Sequence, residues 1–171
     1  AITYTVGTRP YGYMGLGDIS VLIFFGWLSV MGTWYLQAHT LIPAIFLPAT
    51  ACGLLATAVL NINNLRDIDS DRVNGKNTLA VRLGPTRARR YHAFLLIGTL
   101  VCLALFNLFS LQSPWGWLFI LAAPMLVRQA QYVMREHEPL AMRPMLERTV
   151  KGALLTNLLF AIGVILSQAD F

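Results

Sequence analysis

Three stretches of this chain contain no Asp, Glu, Lys or Arg: Ile19 to Gln37, Leu41 to Ile62 and Ala93 to Leu111, runs of 19, 22 and 19 residues. Each is long enough to cross a hydrocarbon core of about 30 Å as an α-helix. Pro114 to Val127 is a shorter uncharged run, and it extends to Met134 if Arg128 carries its guanidinium to the interface along its aliphatic stem. Thr149 to Gln168, with Lys151 near one end, is a fifth candidate. Only 12% of the 171 residues are charged, where a soluble average is about a quarter. These features predict an all-α, polytopic transmembrane helical bundle with five full spans, a single domain over residues 1–171. Pro43 and Pro48 predict a kink in the second helix, and Pro124 a bend in the fourth. The mixed segment 135–148 predicts a short amphipathic piece on the membrane surface. Asn107 and Asn157, lone amides within helices, are expected to bond between helices.

A net charge of +5 raises the question of nucleic acid, and its distribution answers it. Arg66, Arg72, Lys76, Arg82, Arg87, Arg89 and Arg90 fall between the second and third runs, and Arg128, Arg135, Arg143, Arg148 and Lys151 between the fourth and fifth. The connections at 38–40 and 112–113 carry no Lys or Arg. Such alternation is the positive-inside pattern, so the partner is the lipid bilayer and not nucleic acid. It predicts that the basic loops and Arg9 are cytoplasmic and the C-terminus outside. Trp34, Tyr35, Trp115 and Trp117 then form an outer aromatic belt. Cys52 and Cys102 have no metal-site spacing and read as packing residues. Ala1 to Val6 has neither the basic start nor the apolar core of a signal peptide and reads as the end of a helix that begins upstream.

At the end of the second run stands Asn63-Asn64-Leu65-Arg66-Asp67-Ile68-Asp69-Ser70-Asp71. Continued as a helix, this segment puts Asn63, Asp67 and Asp71 on one stripe at i, i+4 and i+8, with Asp69 on the opposite side. Like charges one turn apart repel, and a cation between them relieves the repulsion. Hard oxygen donors without supporting His or Cys favour Mg²⁺, which commonly binds one or two carboxylates, waters and the phosphates of a substrate. Asp67 and Asp71, with Lys76 and Arg82 downstream, describe half of such a clamp. The same aspartates would equally solvate a cytoplasmic loop and pair with Arg66 and Arg72; spacing alone leaves both readings open.

The string Asp67-x-x-x-Asp71-x-x-x-Gly75-Lys76-x-Thr78-Leu79-Ala80 resembles the second aspartate motif of the UbiA-type intramembrane prenyltransferase superfamily. Gly7-Thr8-Arg9-Pro10-Tyr11-Gly12-Tyr13-x-Gly15-Leu16-Gly17-Asp18 and Leu79-Ala80-Val81-Arg82-Leu83-Gly84 are similar to its menaquinone-pathway branch. The resemblance runs over the whole chain. It implies a nine-helix fold of which this chain supplies the end of the fourth helix and the fifth to ninth. It also implies a bacterial inner (cytoplasmic) membrane location. The family's first motif, Asn-Asp-x-x-Asp-x-x-x-Asp, does not occur here, so an N-terminal half of the same fold is the implied partner.

Carried over by residue, the resemblance makes Asp67 and Asp71 the catalytic metal ligands, with Mg²⁺ as cofactor. Arg9, Lys76 and Asn63 become the residues that bind substrate diphosphate. Tyr11 and Tyr13 fall where the acceptor site would be bordered, but tyrosines are common at membrane interfaces and the two read as interfacial residues. The implied substrates are polyprenyl diphosphate and an aromatic acceptor, 1,4-dihydroxy-2-naphthoate, prenylated with decarboxylation. Alternatives are another acceptor such as 4-hydroxybenzoate, or a non-catalytic transporter or scaffold module. The carboxylates cluster at one interface and none stands at mid-membrane, which weighs against a transport pathway.

Overall fold

The computed structural model describes residues 15–169, all of whose elements are helical. Helix α1 is Gly17–Ala38 and α2 is Pro43–Arg66. Two short helices follow, α3 (Ile68–Val73) and α4 (Leu79–Leu83). Helix α5 is Pro85–Leu111. Helix α6 joins a 3₁₀ stretch, Pro114–Ala122, to an α stretch, Ala123–Arg135. Helix α7 is Arg143–Ala169, led in by the 3₁₀ turn Pro139–Met142.

Four of these are long and apolar enough to span a membrane: α1, α2, α5 and the Pro139–Gln168 span of α7. The expected fourth span, α6, is helical throughout, but Arg128, Gln129, Gln131 and Arg135 make its second half too polar to rank with them. Residues 143–148, expected to lie on the surface, are instead the first turns of α7, because Met142 and Met145 are buried beneath the neighbouring helix ends. Pro43 opens a 3₁₀ turn and Pro48 falls in the first α-helical turn, so α2 runs unbroken to Arg66 without the expected kink. In α6 the winding does change beside Pro124, from 3₁₀ to α.

The helix ends follow from local chemistry. His39 and Gln112 take left-handed conformations just past α1 and α5, at φ 54° and 50°. Pro43, Pro85 and Pro114 then open the next helices, where a missing N–H costs nothing. The Thr78 hydroxyl accepts the Val81 N–H and caps α4. Asn107 lies against Gly116 of α6, but its hydrogen bond is to the turn and not between helices as expected: its Oδ1 accepts the Ser113 N–H and ties the α5–α6 connection.

Helix α2 is the most buried of the four spans and packs against α1, α5 and α7. The α1–α2 crossing is made by glycine. A Cβ on Gly26 would stand 2.6 Å from the Ala49 carbonyl oxygen, and one on Gly53 2.8 Å from that of Leu22, so the two backbones touch. Trp27 Nε1 donates to Thr50 Oγ1 at 3.0 Å across the same seam. Residues 22–31 of α1, which include Leu22, Gly26 and Trp27 of this contact, are wound as a π-helix. At the aspartate end, Ile62, Leu65 and Ile68 bury themselves with Ala80, Ala88, Val133, Met142 and Met145. This cap fastens α3 and α4 over the ends of α2, α5, α6 and α7. Trp34, Tyr35, Trp115 and Trp117 all sit at the opposite end, beside the 39–42 and 112–113 connections.

Candidate active site

The chain leaves α2 at Arg66, and Asp67 adopts φ −97° and ψ 8°, belonging to neither α2 nor α3. The single helix expected over 63–71 is therefore two helices hinged at Asp67. The reason is packing: Ile68 must turn inward to join the cap, and it is 3% exposed. The turn-to-turn spacing nevertheless survives. The Asp67 N–H donates to Asn63 O at 3.1 Å, and the Asp71 N–H to Asp67 O at 2.8 Å. Asn63, Asp67 and Asp71 thus remain successive steps one turn apart, while Asp69 is exposed.

Each carboxylate is held by a neighbouring cation. Arg66 donates to both oxygens of Asp67, Nε to Oδ1 at 2.7 Å and Nη2 to Oδ2 at 2.5 Å. That bidentate pair holds the Asp67 carboxyl below the usual carboxylate range. Asp71, only 7% exposed, receives Lys76 Nζ at 3.2 Å on each oxygen. Of the two arginines expected to pair with these aspartates, Arg66 does so, but Arg72 is exposed and Asp71 takes Lys76 instead.

The geometry of that second pair is set by Gly75. At φ 69° it is left-handed, its N–H donates to Arg72 O at 3.3 Å, and the Lys76 N–H donates to Asp71 O at 2.8 Å. This is a Schellman ending, which folds the chain back so that Lys76 overlies Asp71 in the last turn of α3. Arg82 is exposed and its guanidinium lies against Gly15. Arg9, Tyr11 and Tyr13 lie outside the described residues.

Asn63 also lines an apolar groove of about 510 Å³ between α1, α2 and α7, with Val21, Phe25, Ala56, Val59, Leu60 and Leu146. Among the described residues the groove's one polar lining residue is therefore the residue one turn before Asp67. Among the described residues no three His, Cys, Asp or Glu side chains converge as a metal cluster. Two carboxylates one turn apart suit a cation that takes its remaining ligands from water and phosphate oxygens, as Mg²⁺ does. They would not suffice for a metal that requires a full protein cage.

Sequence reasoning missed a set of buried polar groups beside this site. Asp18 is 4% exposed, one of its oxygens has no partner, and it faces the Tyr91 hydroxyl. Thr57 Oγ1 donates to the Gly53 carbonyl at 2.8 Å with the Asp18 carbonyl at 3.4 Å, and Asn61 Nδ2 donates to the Ala88 carbonyl at 3.1 Å. His92 is fully buried with both ring nitrogens unpartnered. The spacing of Thr57, Asn61 and Asn64 on one face of α2 was the available signal, since polar residues within a span mark a contact face.

Residues 1–147 match the family described as the UbiA prenyltransferase family. The chain is 83% identical over 168 residues to a 1,4-dihydroxy-2-naphthoate octaprenyltransferase of Escherichia coli (strain K12), covering 98% of this chain and 54% of that protein. A 1,4-dihydroxy-2-naphthoate octaprenyltransferase of Haemophilus influenzae is 52% identical over 166 residues, covering 97% of this chain and 54% of the relative. The human UbiA prenyltransferase domain-containing protein 1 is 32% identical over 166 residues, covering 97% and 47%. The chain spans about half the length of the curated relatives it matches.

Proposed function

Because the chain belongs to the UbiA prenyltransferase family, we propose that it forms the second half of a membrane enzyme that transfers a polyprenyl group to 1,4-dihydroxy-2-naphthoate. The donor is polyprenyl diphosphate. The acceptor loses its carboxyl as CO₂, and the products are diphosphate and demethylmenaquinol, the two-electron-reduced form of demethylmenaquinone that dioxygen oxidises to the quinone. The observation that carries this reading is the step from groove to carboxylates: Asn63 belongs to an apolar groove and stands one turn before Asp67 and two before Asp71. A prenyl diphosphate has the matching form, an apolar chain ending in an anionic group.

Asp67 and Asp71 would hold Mg²⁺, which when bound neutralises charge developing on the departing diphosphate. Lys76 and Arg66 already stand at these carboxylates, so an incoming diphosphate finds two cations beside its anchor. Asn63 supplies an amide at the point where chain meets diphosphate, and Arg9 a further cation for phosphate oxygens. The walls Val21, Phe25, Val59 and Leu60 exclude water from the allylic cation left when the C–O bond breaks, so the aromatic ring is its only nucleophile. The other half of the fold contributes the first aspartate motif. The enzyme sits in the bacterial cytoplasmic membrane with the aspartate loop cytoplasmic and the C-terminus outside.

The test is the full-length protein reconstituted with polyprenyl diphosphate, Mg²⁺ and either 1,4-dihydroxy-2-naphthoate or 4-hydroxybenzoate. Demethylmenaquinol, read as demethylmenaquinone after air oxidation, should form from the first acceptor, and Asp67→Asn and Asp71→Asn should each lower the rate by about two orders of magnitude or more. Product from 4-hydroxybenzoate alone would overturn the acceptor assignment. Near-normal rates in both variants would overturn the clamp.

A further inference from the structure

Away from the aspartate groove, α5 and α6 flank a trough of about 340 Å³ walled by Ile97 and Leu100 on one helix and Val127 and Met134 on the other. Ile97, Val127 and Met134 are 59%, 47% and 42% exposed, so this face is uncovered by the other described helices. Near the aspartate end of the bundle the lining changes character. Arg135 and Gln131 line the trough and also an adjoining polar cavity of about 300 Å³, completed by Arg128, Tyr132 and Glu136. Arg90, exposed on α5, stands one turn before the trough residue Ala93 on the same face.

The charges here are unbalanced. Among the described residues neither Arg128 nor Arg135 forms a salt bridge. Glu136 is the one carboxylate in the cavity lining, and its Oε1 is committed to the His137 and Glu138 N–H groups at 2.8 and 2.9 Å. An arginine without a counter-ion on an outward helix face is costly at membrane depth. Two turns of helix separate Arg128 from Arg135, so Arg128 is the deeper of the pair. The anion that reaches this level from the lipid side is a headgroup phosphate, and basic pockets between transmembrane helices bind such groups.

We propose that the α5–α6 trough is a specific seat for an anionic diacyl phospholipid. Its acyl chain lies along Ile97, Leu100, Val127 and Met134, and its phosphate is held by Arg128 and Arg135. A soluble anion would make no use of the apolar walls, and a zwitterionic lipid would leave the cationic end only partly neutralised. The inference does not depend on the reaction proposed above.

The experiment is native mass spectrometry of the full-length protein in detergent, offered phosphatidylglycerol and phosphatidylethanolamine in equal amounts, with a thermal melt of each variant to verify folding. Phosphatidylglycerol should be retained preferentially. Arg128→Ala with Arg135→Ala should lower its retention by about fivefold for each arginine removed, whereas the double Lys variant should keep most of it. Ile97→Trp fills the trough without altering charge and should displace the lipid. Equal retention of the two lipids, or unchanged phosphatidylglycerol retention in the folded Ile97→Trp protein, overturns the proposal.

Discussion

Alanine at Gly26 adds one carbon where α1 meets the backbone of α2. That carbon would lie 2.6 Å from the Ala49 carbonyl oxygen and 2.8 Å from Gly53 Cα, and neither atom can rotate away. A close C···O approach is about 3.3 Å, so α1 must withdraw by about 0.7 Å. Withdrawal of that size stretches the 3.0 Å bond from Trp27 to Thr50 beyond hydrogen-bonding range. Overpacking of this kind costs about 1–3 kcal/mol, and an interhelical hydrogen bond in a membrane adds about 0.6 kcal/mol. Gly32, on the same helix, has nothing within 4 Å of its virtual Cβ. Alanine there should be neutral or stabilising by up to about 1 kcal/mol, since glycine is the poorer helix former. The assay is detergent- or heat-induced unfolding of the full-length protein carrying either substitution. Gly26→Ala should melt well below the parent, and Gly32→Ala at or above it. Because Val21 and Phe25 wall the groove from α1, the first variant should also raise the KM for the prenyl donor. If Gly26→Ala proves as stable as Gly32→Ala, the glycine contact does not set the distance between these helices.

Two further outcomes concern the carboxylates. Gly75→Ala meets no steric obstacle, but a side chain at φ 69° costs about 1–2 kcal/mol, so the turn should loosen and Lys76 drift from Asp71. The expected readout is a higher KM for the diphosphate donor with a nearly normal melting temperature; an unaltered KM would separate the turn from the site. The Arg66 guanidinium holds Asp67 below the ordinary carboxylate range. A pKa depressed in the folded state contributes stability fully present above the unfolded value of about 3.9 and lost as pH falls through the folded value. Arg66→Ala should therefore move the acid limb of the pH–rate profile upward, and a limb that stays in place would show that Asp67 titration does not govern it.

How much of the site was legible depended on the range of the forces involved. Asp67, Asp71 and Lys76 could be brought together on paper because their spacing and the following Gly75 act within a few residues, and the structure joins Lys76 to Asp71 by that turn. The break at Asp67 could not, because it comes from Ile68 seeking Val133, Met142 and Met145, residues far away in the chain.

The sequence alone determined that this is a bundle of membrane-length helices with its charge gathered at one end. A run of some twenty uncharged residues must satisfy its backbone internally in lipid, and a helix does so within one segment. Apart from the polar stripe Thr57, Asn61 and Asn64 of α2, the choice of inward face lay beyond it. A helix in lipid that is apolar on every side, as α1 is, carries no hydropathy period that distinguishes core from bilayer. Only the assembled bundle revealed that Gly26 and Gly53 touch, that Val59 and Asn63 line a groove, and that His92 is sealed inside. Those contacts depend on the shapes of several helices at once, and shape is settled when the helices meet.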